Sequence, residues 1–185
     1  LEFWSRTGAW DFAEDRTGDA ARLPCEYLAM AESERVIKGP PLPVVAGVIW
    51  AGEQLVVQRR GRGHGAGMLE FPGGKLEPGE QPRQALAREL REEWGPEATQ
   101  LRIGRVLGVT RHTPPAPGPD VLLIFFEVHA PREDAWRRAL RPEEGAVIVV
   151  LDPHALREED FLEADRPMAS WLREGRGGGQ GDGSW

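Results

Sequence analysis

Residues 74–96 read GKLEPGEQPRQALARELREEWGP. Pro82 suits a first helical turn, Gln84 to Trp94 are mostly good helix formers, and Gly95 supplies a stop. On that helix Leu86, Leu90 and Trp94 form an apolar stripe, while Glu89, Glu92 and Glu93 fall three and four residues apart on a separate side. Like charges at that spacing repel unless a cation sits against them. A divalent metal is the natural remedy, since hard cations such as Mg2+ or Mn2+ take oxygen ligands from a few carboxylates together with substrate phosphates. The competing reading is a solvated acidic face paired with Arg88 and Arg91, each pair contributing little. The stretch therefore points to phosphate chemistry on a helix that packs with one side and works with another.

In order, Gly74, five residues, Glu80, seven residues, then Arg88, Glu89, Leu90, one residue, Glu92, Glu93, one residue and Gly95 resemble the signature of the Nudix hydrolases. Pro96 stands where an aliphatic residue is usual. That many specified positions at fixed spacing carry weight that a lone Gly-rich loop does not. The run LEFPGGKLEPGE, residues 69–80, is similar to the MutT-type branch, which hydrolyses oxidised or other non-standard nucleoside triphosphates.

The resemblance implies roles for individual residues. Glu92 and Glu93 match paired metal ligands. Glu89 matches the glutamate that completes metal binding or serves as general base, and a main-chain carbonyl of the Gly73 type supplies a further metal oxygen. Arg88 resembles the arginine that braces the neighbouring glutamate, and Glu80 the loop glutamate that supports metal or water. Gly73 and Gly74 also suit a turn needing positive φ, and close approach of backbone to an ion favours a residue without a side chain. Lys75 and Arg60, with Arg59 or Arg62 as alternatives, are candidates to neutralise a triphosphate.

Further along, Glu144-Gly145 resembles a later MutT-type segment, with Ala146 and Val150 in place of the usual Gln and Trp. Glu144 is thus a candidate base or extra metal ligand, and Glu143 a competitor. Ala164-Asp165-Arg166-Pro167 is similar to the segment that reads the nucleobase edge. Asp165 would accept from an amino group or, if protonated, donate to a carbonyl; a helix-capping Asp before Pro167 is the equal alternative. Phe71 and the 111–120 loop are candidates to line a base pocket. His64 and His112 read as loop residues, and Trp50, Trp94 and Trp171 as core.

Around this centre, residues 44–174 alternate strand and helix. Val44–Trp50 and Leu55–Arg59 form a hairpin through Gly52-Glu53, 101–110, 121–129 and 147–151 read as strands, and 161–171 as a final amphipathic helix. The 60–67 and 111–120 segments read as loops. The class is α/β (α+β), and the resemblance implies the Nudix fold, a mixed β-sheet sandwiched between helices. Residues 1–43 read as an extension ending in a Pro-rich linker. Met30 is a natural start, so residues 1–29 read as upstream sequence, with a real helical arm as the alternative. Residues 175–185 read as a Gly-rich disordered tail.

With 185 residues and 40% hydrophobic content the chain has enough apolar material for one core. The net charge of -7 argues against a grip on a nucleic acid polymer but not against a mononucleotide. One cysteine excludes an internal disulfide framework and a multi-thiolate zinc site, and a reducing, cytoplasmic setting follows as the simplest reading. No run approaches the roughly 18 apolar residues of a membrane span.

The expectation is a pyrophosphohydrolase that cleaves a nucleoside triphosphate to monophosphate and pyrophosphate, cleans the nucleotide pool as a DNA-repair safeguard, and works as monomer or homodimer. ADP-ribose, suggested by Pro114 and Pro115, is a competing substrate. A non-catalytic nucleotide-sensing module is the competing class, although such modules often lose box glutamates and this chain keeps them all. Tyr27, the only tyrosine, lies outside the domain, which leaves the dinucleoside polyphosphate branch without its downstream tyrosine.

Overall fold

The computed structural model describes residues 39–115, 118–131 and 135–175. The readings of residues 1–29 and of nearly all the 175–185 tail lie outside that range. β1 (Leu42–Ala51) and β2 (Gln54–Arg59) form the expected antiparallel hairpin, turned at Gly52 with φ of 65°. β3 (Leu69–Glu70) pairs with the end of β2 on the edge that faces β1, and β4 (Gly73–Lys75) pairs with β1. α1 (Pro82–Trp94) follows, then β5 (Arg102–His112) and β6 (Val121–His129). A short α2 (Ala135–Ala139), β7 (Val147–Leu151) and α3 (Arg166–Arg173) complete the chain.

The sheet runs β3-β2-β1-β6-β5, with β4 on β1 and β7 on β2. It is mixed because β1 and β6 run parallel while the other pairs are antiparallel. Alternation along the central strands divides the core in two. Val45, Ile49, Val56, Phe126 and Val128 face Leu86, Leu90 and Trp94 of α1. Ala46, Val48, Leu55, Val57, Leu123 and Phe125 face Met168, Ala169 and Leu172 of α3. Each helix thus covers one face of the sheet.

One edge of β1 is shared. Its last residues, Ile49 to Ala51, pair with β2, and Val44 to Ala46 pair with β4. Between them Gly47 N–H donates to Pro72 O at 2.9 Å. The chain therefore passes from β2 to β1 along their facing edges through Phe71 and Pro72, and this strap carries the two glycines alongside Glu89 and Glu93 of the acidic helix. The sequence reading left Gly73 and Gly74 in a turn; their backbone is recruited as a short strand because β1 offers free pairing groups there.

The last helix is shorter than expected. Residues 161–165 stay out of it because Phe161 bridges to Leu69 and Leu162 N–H bonds Leu69 O at 2.9 Å, a tertiary pairing that overrides helical periodicity. Arg111 and His112 extend β5 into the expected loop. Leu90 is 1% exposed in the core beneath α1. Leu90→Ala is expected to lower unfolding free energy by about 2–5 kcal/mol, read as a reduced urea midpoint with unchanged slope.

Candidate active site

The carboxylates of α1 converge on an arginine of the same helix. Arg88 Nε and Nη2 donate to Glu80 Oε1 and Oε2, both at 3.0 Å, closing a bidentate pair. Its Nη1 donates to Glu89 at 2.8 Å and to Glu92 at 3.1 Å, and Nη2 also reaches Lys75 O at 3.0 Å. The Glu80 hydrogen bonds come first in holding the Arg88 guanidinium protonated well above its usual range, with Glu89 next. In return Arg88 lowers Glu80. The repulsion inferred from the glutamate spacing is relieved here by Arg88, which gathers the loop, the strap and the helix around one cation.

Glu93 is placed differently. Gly73 N–H donates to its Oε2 at 3.2 Å. Burial pushes its carboxyl up to about 8, and the charge of Glu70, then those of Glu89 and Glu143, act in the same direction against the pull of that N–H. The strap approaches α1 too closely for a side chain. A Cβ on Gly74 would lie 2.3 Å from the Glu89 carboxyl carbon, and one on Gly73, with φ of 151°, would lie 2.1 Å from Val45 O.

The strap also holds the candidate base-reading residue. Phe71 N–H donates to Asp165 Oδ2 at 3.3 Å. Asp165 stands at the start of α3 yet makes no capping bond with its side chain, so that carboxylate is committed to the strap. Burial pushes it up to about 8, with Glu70 adding to the shift and Phe71 N–H and Arg60 opposing it. The Phe71 ring is 4% exposed and stacks on Phe161 with centroids 5.3 Å apart. It serves as core behind the site where the sequence reading had it lining a pocket.

The other candidates are dispersed. Arg60 pairs with Glu70, Arg59 donates to Gly67 O, and Arg62 to Glu143 at 3.3 Å. The Lys75 side chain is exposed. Glu143 N–H bonds Glu93 O at 3.0 Å. Glu144 is exposed in the same loop and enters none of the hydrogen bonds or ion pairs of the described residues. Gly95 ends α1, its N–H on Arg91 O at 3.0 Å. Sequence reasoning gave no role in the site to Glu70, Gln58 or the Trp94 indole N–H. The clue available was Gln58, a polar residue closing an otherwise apolar strand.

The NUDIX domain model matches residues 40–172. The chain is a Nudix hydrolase. It is 36% identical over 69% of its length to a CTP pyrophosphohydrolase of Escherichia coli (strain K12), covering 87% of that protein. It is 37% identical to an 8-oxo-dGTP diphosphatase of Proteus vulgaris over 57% of this chain and 87% of that one. Among solved structures, the E. coli ORF135 protein superposes with a TM-score of 0.56 at 27% identity, covering 75% of this chain and 96% of the other. As a Nudix hydrolase the protein acts on phosphorus-containing anhydrides of small nucleotides. Among its described residues no helix is long and apolar enough to cross a membrane.

Nudix hydrolases generally use divalent metal ions. The donor set of this one fits such a group: it is all oxygen, and the contact of Gly74 with Glu89 leaves no Cβ between backbone and carboxylates. Among the described residues no three acidic, His or Cys side chains are gathered as a metal cluster; Arg88 bonds Glu89 and Glu92, and Gly73 N–H bonds Glu93.

The Asp165 shift has a thermodynamic consequence. Between its ordinary value of 3.8 and about 8 the folded state keeps a proton that the unfolded chain has lost, so stability falls as pH rises through this window and levels off above it. Glu93 contributes in the same sense from 4.5 to about 8. Asp165→Asn is expected to flatten the decline of melting temperature with pH over that range, leaving a residual slope from Glu93. An unchanged slope in thermal scans would count against a neutral Asp165.

Proposed function

We propose that this protein is a metal-dependent pyrophosphohydrolase that cleaves a nucleoside triphosphate, oxidised or otherwise non-standard, to the monophosphate and pyrophosphate. The observation that carries the reading is the single strap, residues 69–75, which touches both the acidic helix through Gly73 and Gly74 and the buried Asp165 through Phe71. Phosphate chemistry and base recognition would then be held at a fixed separation. The curated relatives named for CTP and for 8-oxo-dGTP support a triphosphate as substrate.

In this reading Glu89, Glu92 and Glu93, with the Gly73 carbonyl and Glu144 as a further candidate, would hold Mg2+ or Mn2+. When bound, the metal supplies charge neutralisation on the phosphates and a more acidic water. Arg88 keeps Glu80, Glu89 and Glu92 gathered. Arg60 and Lys75 balance the triphosphate charge. Water adds to phosphorus, its proton passes to a carboxylate, Glu89 or Glu144, and the bridging P–O bond breaks with its electron pair leaving on the departing phosphate oxygen. Asp165 would face the base edge: a neutral carboxyl offers one donor and one acceptor, an ionised one only acceptors. The proposed biological role is removal of damaged DNA precursors in the cytoplasm.

A panel of nucleoside triphosphates with Mg2+ or Mn2+, scored for pyrophosphate against orthophosphate, tests the reaction. Pyrophosphate with monophosphate is expected; release of orthophosphate alone, or turnover of ADP-ribose only, would replace this reading. Glu92, with a side chain 53% exposed, can be altered without disturbing the core. Glu92→Gln is expected to reduce kcat by about a hundredfold or more, on the order of one lost charge-stabilising group, with an unchanged melting temperature.

A further inference from the structure

A buried polar chain runs behind the acidic helix and ends at Arg60. Trp94 Nε1 donates to Gln58 Oε1 at 2.6 Å, Gln58 Nε2 donates to Glu70 Oε1 at 3.3 Å, and Arg60 Nη1 donates to Glu70 Oε2. Trp94 is 0%, Gln58 4% and Glu70 9% exposed. Polar groups at such depth are costly unless bonded, and apolar residues at 58 and 70 would fill the same cross-strand pair with no such demand. Their order is fixed. An indole can only donate, so Gln58 must turn its oxygen to Trp94 and its NH2 to Glu70. Glu70 is thereby oriented from behind, with its second oxygen left for Arg60.

Arg60 lies where the buried chain meets solvent, its side chain 41% exposed. Its Nε is nevertheless buried and finds no acceptor among the described residues. A guanidinium presents its donors in a rigid fork, so anchoring Nη1 on Glu70 fixes the plane in which Nε and Nη2 can donate. The neighbouring backbone is equally constrained, since a Cβ on Gly61 would lie 2.2 Å from the Gly145 carbonyl carbon. Trp94 is the residue after Glu93, which ties the orientation of Arg60 to the helix that bears the acidic box.

We propose that Glu70 is a positioning residue, oriented by Gln58 and Trp94, that holds the Arg60 guanidinium to receive an oxygen of the nucleotide's phosphate chain. The inference rests on the nucleotide reading given above and adds to it the group that orients the arginine. Glu70 itself touches no substrate.

The test is a double-mutant cycle read by calorimetric binding of the α,β-methylene analogues of CTP and dGTP with Mg2+, and of inorganic triphosphate, to wild type, Glu70→Gln, Arg60→Gln and the double variant. Each single change is expected to weaken binding about tenfold, the scale of one hydrogen bond to a charged group, and the double variant to bind no worse than Arg60→Gln. With a cleavable triphosphate the loss is expected in KM, with kcat held within about twofold. Wild-type affinity in Glu70→Gln, losses that multiply in the double variant, or losses absent with inorganic triphosphate would overturn the proposal. Should Glu70→Gln fail to fold, Gln58→Leu, which removes the group that orients Glu70, takes its place in the cycle with the same expected and overturning results, and wild-type binding by Arg60→Gln is fatal in either case. Wild type that binds the analogues and releases no pyrophosphate from a cleavable triphosphate would overturn the catalytic reading and leave this one standing; wild type that binds none would overturn both.

Discussion

The close approach of the Gly73-Gly74 backbone to β1 on one side and to α1 on the other sets the geometry of everything around it. No side chain fits at either position, as Val45 O and the Glu89 carboxylate occupy the space that a Cβ would need. The same strap gives its N–H groups in turn to Asp165 from Phe71 and to Glu93 from Gly73. A displacement of the strap would therefore disturb the Asp165 carboxylate and the acidic helix together. The division of β1's edge between β2 and β4 makes room for it, with Gly47 N–H on Pro72 O closing the gap.

Around that contact the protein concentrates negative charge and manages it in two ways. Glu80, Glu89 and Glu92 share Arg88, a cation held in a bidentate fork by Glu80. Glu93 and Asp165 are buried, and their carboxyls rise to about 8 under desolvation. The charge of Glu70 raises both. Perturbed carboxyls of this kind destabilise the fold at neutral pH and gather where chemistry needs them, which agrees with a site that binds cations and phosphates.

Most of the sheet was legible from pattern. β1, β2, β6 and β7 carry apolar runs bounded by Gly, Pro or charged residues, and α1 carries its stripe, its Pro and its Gly. The errors have two causes. β4 is three residues of Gly-Gly-Lys with no strand propensity, made a strand by β1's free edge. Residues 161–165 look helical but are pinned to Leu69. α2, at five residues, is too short to show a period. For β4 and for residues 161–165 a partner distant in sequence decides the local conformation.

The sequence by itself determined the family, the acidic helix and the identity of the residues available for phosphate chemistry, because fixed spacing along one helix converts directly into a shared face. It also named Asp165 without showing what it touches. Only the tertiary structure decided that Arg88 is the cation among the glutamates, that Glu143 N–H bonds the main chain of Glu93 while Glu144 stays exposed, that Phe71 is core, and that Gln58, Glu70 and Trp94 form a buried relay to Arg60. These depend on strands and helices that meet across dozens of residues. Hydrogen bonding and desolvation at such meetings follow from distance in space, which spacing along the chain does not encode.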